Sequence, residues 1–173
     1  MSTICYELDK TSKEYLLKKF PPKYPAVRYD HITVELGDIN AKPPKPVKSI
    51  NIVGIADDGN GIETFVVSID GSIIRPTDGR IWHITASFHP DKNAPKEFDI
   101  KNKPDSLVSS PYRAVTSNGL LSQLLDKSGN LKTPKNPNWK IKFFEKPIPV
   151  LAHPKIQYKA FEIEKIKSLG RTL

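Results

Sequence analysis

A single cysteine, Cys5, in a chain of 173 residues excludes an intramolecular disulfide and any metal cluster built from several thiolates. It also suits a reducing compartment. Long apolar runs are missing as well: no stretch approaches the roughly 18 residues of a membrane span, and the N-terminal segment, with Asp9, Lys10 and Glu14, lacks the apolar core of a signal peptide. These absences predict a soluble, cytoplasmic protein with no membrane partner. No spacing of His, Asp and Glu argues for zinc, so neither a metal nor another cofactor is expected.

Acidic residues are the other shortfall, with 19 Asp plus Glu against 27 Lys plus Arg and a net charge of +8. The excess favours polyanionic partners such as RNA or nucleotides. The lysines are scattered, from Lys18-Lys19 through Lys42 and Lys48 to Lys101, Lys103, Lys132 and Lys142, and they form no nucleic-acid motif. What is present otherwise, 38% hydrophobic and 27% charged residues, is the composition of a globular protein. The length fits one domain, residues 1–173, with a real hydrophobic core.

Residues 11–20 read as a short helix, with Thr11 and Glu14 spaced as a capping box and Pro21-Pro22 as the stop. A strand follows from about Val27 to Leu36, then a Pro- and Lys-rich connection to Val47. Two apolar runs, 48–56 and 62–69, flank Asp57-Asp58-Gly59-Asn60-Gly61 and predict a hairpin. The turn 75–80 delivers the chain into a second strand around Trp82–Phe88. Later, Leu120, Leu121, Leu124 and Leu125 form the apolar stripe of a helix near 118–127. The segments 139–144, 147–152 and 157–163 read as a final β region. The expected fold class is a β-rich α+β protein with antiparallel sheets and few helices.

Against this background one tripeptide occurs twice, as His31-Ile32-Thr33 and His83-Ile84-Thr85, each inside a strand-like run. Side chains at i and i+2 of a strand share a face, so each copy presents an imidazole and a hydroxyl together while the Ile points away. In the first copy Ile32, Val34 and Leu36 oppose His31, Thr33 and Glu35; in the second, Trp82, Ile84, Ala86 and Phe88 oppose His83, Thr85 and Ser87. If the two strands meet, one His removes a proton while the other donates one. Cleavage of a phosphodiester or cyclic phosphate near neutral pH needs that pair of functions.

These motifs resemble the signature of the two-histidine phosphoesterase superfamily, which includes LigT-like RNA phosphodiesterases and the cyclic phosphodiesterase domains of tRNA ligases. The resemblance covers about residues 27–89. It implies a bilobal α+β fold whose central cleft works without a metal. It further implies that His31 and His83 form the acid/base pair and that Thr33 and Thr85 hydrogen-bond the phosphate oxygens. The substrate implied is an RNA 2′,3′-cyclic phosphate end or a small cyclic or 2′-5′-linked nucleotide. The short stretch between the two motifs reads as hairpins without a helix, which predicts an open cleft.

Further candidates lie after the second motif, where Tyr112 is suited to stacking on a base and Arg113 to pairing with a phosphate, beside Ser117 and Asn118. Arg28 and Arg75 offer similar chemistry, and Glu35 shares the face of Thr33. His89-Pro90 and His153-Pro154 read as strand exits. The competing class is a non-catalytic basic RNA- or nucleotide-binding module, which would bind with steep salt dependence and without turnover.

Overall fold

The structure, a computed structural model, describes residues 1–89 and 116–173. Its elements run β1 (Ser2–Leu8), α1 (Lys10–Lys19), β2 (Ala26–Val27), β3 (His31–Gly37), β4 (Ile50–Asp57), β5 (Ile62–Ile69), β6 (His83–Phe88), α2 (Ser117–Leu124), β7 (Lys140–Pro149), β8 (Ala152–Gln157) and α3 (Ala160–Ser168). The strands form two antiparallel sheets, of order β3-β1-β8 and β2-β6-β5-β4-β7. The fold is therefore β-rich α+β with few helices, as expected. Among the described residues, no helix is long and apolar enough to cross a membrane.

Period-2 alternation in both His-Ile-Thr segments decides how the sheets pack. Ile32 of β3 and Ile84 of β6 enter one core, with Tyr6 and Leu8 of β1, Leu16 of α1, Ile52 of β4 and Phe65 of β5. This core joins the two sheets. Each aliphatic side chain buried there contributes roughly 1.5–3 kcal/mol. A second core, around Ala56, Val66 and Ile81, lies under the leucine stripe of α2.

The hairpin of β4 and β5 forms where Asp58 organises the turn, its Oδ1 accepting from the backbone N–H groups of Asn60, Gly61 and Ile62 at 2.8, 2.7 and 3.0 Å. That is the local bonding that favours Asp in turns.

Several expectations are corrected. The first histidine strand is not continuous from 27 to 36. Tyr29 takes φ 56°, a left-handed conformation unusual for a residue with a Cβ, and turns the chain from β2 into β3. The Tyr29 ring is fully buried and its hydroxyl donates to the Phe20 carbonyl at 2.7 Å, so packing holds that turn. The N-cap of α1 is Asp9, without the Thr11–Glu14 capping box, and the Asp9 carboxylate instead meets His153 Nδ1 at 3.0 Å. His153 lies within β8 and is not a strand exit. The strand expected over 157–163 ends at Gln157, and residues 160–168 form α3; β1 was not foreseen.

The second strand also departs from simple alternation. Pairing between β5 and β6 shifts between Glu63 and Thr64, so that Ala86 is the extra residue of a bulge, and Phe88 enters the α2-side core instead of the one holding Trp82, Ile84 and Ala86. Because β6 is an interior strand covered on both faces, the face of His83 and Thr85, opposite the apolar one, is buried too.

Candidate active site

The two motifs reach one place from two sheets. On β3, His31 and Thr33 point away from the shared core, and on β6 His83 does the same. His31, Thr33 and His83 line a single cavity of about 1070 Å³. The path of the chain makes this meeting possible: Arg28 N and Tyr29 N donate to the Ala86 and Thr85 carbonyls at 2.7 and 3.2 Å, so the turn into β3 starts on the backbone of β6.

A second tie fixes β3 from its outer edge. Arg75, 4% exposed, donates through Nε and Nη2 to both oxygens of Asp78 at 2.9 and 2.7 Å, and through Nη1 to the Thr33 carbonyl at 3.0 Å. Thr77 Oγ1 donates to the Val34 carbonyl at 2.9 Å. The turn before β6 thus holds edge carbonyls of β3. The fork from Arg75 holds the Asp78 carboxyl below the usual carboxylate range against the opposing effect of desolvation.

Each histidine is oriented through Nδ1. His83 Nδ1 lies 2.9 Å from the Ile81 carbonyl, and a carbonyl only accepts, so Nδ1 carries the proton in that bond. His31 Nδ1 lies 3.1 Å from Asp30 Oδ2. Burial pushes the Asp30 carboxyl up, but the hydrogen bond and charge of His31, helped by Lys13 and Arg28, outweigh it and hold the group below its ordinary value. The ionised carboxylate likewise requires a proton on His31 Nδ1. In both rings proton exchange with a ligand then falls to Nε2.

Thr85 departs from the symmetric placement expected for it. Its side chain is 6% exposed, it is not among the lining residues, and its Oγ1 lies 2.8 Å from Ser117 Oγ at the start of α2. The next residue, Asn118, does line the cavity. Two buried oxygens among the described residues of the wall, Asp30 Oδ1 and Asn118 Oδ1, have no hydrogen-bond partner. Buried acceptors of this kind are costly when unpaired, and a hydrogen-bond donor placed in the cavity would satisfy them.

Arg28, Arg75 and Glu35 also line the cavity, together with Arg80 and Lys159. Tyr112 and Arg113 lie outside the described residues. His89 follows the end of β6 as expected, its ring 5.2 Å from that of Tyr24. The wall contributed by Tyr158, Lys159 and the 64%-exposed Phe161 was not foreseen, because that segment read as strand. Asp30 was missed for a different reason: adjacent residues of a strand face opposite ways, and only the turn at Tyr29 lets Asp30 reach the ring of its neighbour.

No family model matches this sequence, and no curated protein or solved structure is significantly similar to it. The functional reading therefore rests on the motifs and on the geometry of the cavity.

Proposed function

We propose that this protein is a two-histidine phosphodiesterase that cleaves RNA 2′,3′-cyclic phosphate ends or small cyclic or 2′-5′-linked oligonucleotides without a metal. The observation that carries the reading is the convergence of His31 and His83, from different sheets, on one cavity, each with Nδ1 engaged behind it. General acid and base acting together typically supply 10²–10⁴-fold each. Thr33 lines the same cavity, which supports a role for its hydroxyl as a donor to a phosphate oxygen in the transition state.

Size and charge support the same substrate class. At about 1070 Å³ the cavity lies just above the roughly 300–1,000 Å³ common for small-ligand sites, which favours an RNA end or an oligonucleotide over a mononucleotide. Arg28, Arg80 and Lys159 on its walls suit a polyanion.

The test is turnover of a panel: nucleoside 2′,3′-cyclic phosphates, RNA ending in a 2′,3′-cyclic phosphate, 2′-5′ oligoadenylate and cyclic dinucleotides. Conversion of at least one of them, to a phosphomonoester by water or to a cyclic phosphate by a ribose hydroxyl, supports the reading. Tight binding without product from any of them would replace it with the non-catalytic basic module.

A further inference from the structure

The two histidines are supported unequally. His83 Nδ1 faces a neutral backbone carbonyl, whereas His31 Nδ1 faces a carboxylate. We propose that Asp30 is a positioning residue that fixes His31 as the general acid and leaves His83 as the general base, an assignment that rests on the phosphodiesterase reading above.

A hydrogen bond to an ionised partner is roughly twice as strong as one between neutral groups, and it strengthens further when the donor is charged. Asp30 Oδ2 therefore stabilises the imidazolium of His31 over its neutral form, so His31 keeps the Nε2 proton to higher pH. His83 is 9% exposed, and desolvation of a ring whose Nδ1 faces a neutral carbonyl favours the uncharged form, whose Nε2 then accepts a proton.

Other charged groups lie around His31. Glu7, opposite His31 in the β1–β3 ladder, is engaged by Lys155 and Gln157 at 3.3 and 3.1 Å. Arg75, on the shared cavity, is neutralised by its fork to Asp78. Lys13 and Arg28 act on Asp30 and keep it ionised. Glu35, Arg80 and Lys159 line the same cavity.

In the step that follows, His83 Nε2 takes the proton of the attacking water or ribose hydroxyl as its oxygen bonds to phosphorus. The bond from phosphorus to the leaving oxygen breaks, its electron pair stays on that oxygen, and His31 Nε2 supplies the proton. The rings end with exchanged protonation states, and solvent restores them. Asp30 remains a carboxylate throughout.

The experiment compares two substrates with different leaving groups, a dinucleotide and a ribonucleoside 3′-(p-nitrophenyl phosphate), whose nitrophenolate departs without a proton. Expected for His31→Ala is a loss of at least about a hundredfold on the dinucleotide and less than about tenfold on the nitrophenyl ester, while His83→Ala loses similarly on both. The reverse pattern, or equal losses for both variants on both substrates, would overturn the assignment. Histidine ring titration followed by NMR gives a readout independent of turnover. His31 should titrate above His83, and Asp30→Asn should lower the His31 midpoint without moving that of His83; His31 titrating below His83 in the unaltered protein would overturn the proposal even if Asp30→Asn failed to fold. Should the protein turn over neither of these nor any substrate of the panel above, the phosphodiesterase reading fails, while the NMR order still decides the part played by Asp30.

Discussion

Thr33 and Thr85 occupy equivalent places in the two tripeptides and unlike places in the molecule. Thr33 lines the cavity, whereas the hydroxyl of Thr85 is paired with Ser117. Thr33→Val should therefore lower kcat/KM with little change in stability. Thr85→Val leaves a buried Ser117 hydroxyl unpaired and should destabilise the fold by about 1–3 kcal/mol, with the smaller direct effect on rate. Denaturant titration beside steady-state kinetics checks both. Cys5 supplies a pH prediction. Burial, more than the nearby charges of Glu7 and Asp30, pushes its thiol from 9.0 up to about 12. A raised value in the folded state means that the contribution is fully present below 9 and is lost as pH rises toward 12. Native protein should react with a thiol reagent at pH 8 only as fast as it opens, and Cys5→Ala should lose stability less steeply than the parent above pH 9. At this scale His31, His83 and Thr33 were legible as cavity residues, because period 2 alone sends them away from Ile32 and Ile84. Asp30 was not, because its contact depends on one left-handed residue.

Between elements, the turn at 75–80 determines whether the two histidine strands stay in register with each other. Arg75 makes a fork to Asp78 and one bond to the Thr33 carbonyl while almost fully buried. Arg75→Ala removes these bonds and leaves a backbone acceptor on the edge of β3 without its donor. The expected outcome is a loss of about 2–3 kcal/mol in chemical denaturation and a fall in kcat/KM, because the Thr33 side of the cavity is no longer held. An unchanged stability would show that the β1–β3 ladder suffices to place the strand. Sequence patterning disclosed the β4–β5 hairpin through its Asp-Gly turn, and α2 through its leucines. It did not disclose α3, since Gln157–Ile163 carries no helix-period stripe strong enough to outweigh its β-like alternation, nor the bulge at Ala86, which only strand pairing reveals.

For the whole molecule, the net charge of +8 and a cavity rimmed by Arg28, Arg80 and Lys159 predict substrate capture that weakens with salt. KM for an oligonucleotide should rise steeply between about 50 and 200 mM salt. A cyclic mononucleotide, with fewer phosphates, should respond less. A salt-independent KM would remove the electrostatic part of the proposal. That the chain is a β-rich α+β protein was readable from strand spacing and turn residues, whereas the meeting of β3 with β6 was not, because it depends on which sheet each strand joins.

The most direct measurement of the central claim is turnover of the best substrate in EDTA by the parent protein and by the His31→Ala/His83→Ala double variant, with folding verified for both. Turnover that persists in EDTA in the parent and disappears in the double variant is the predicted result. Undiminished turnover in the double variant would contradict the claim that these two histidines carry the chemistry.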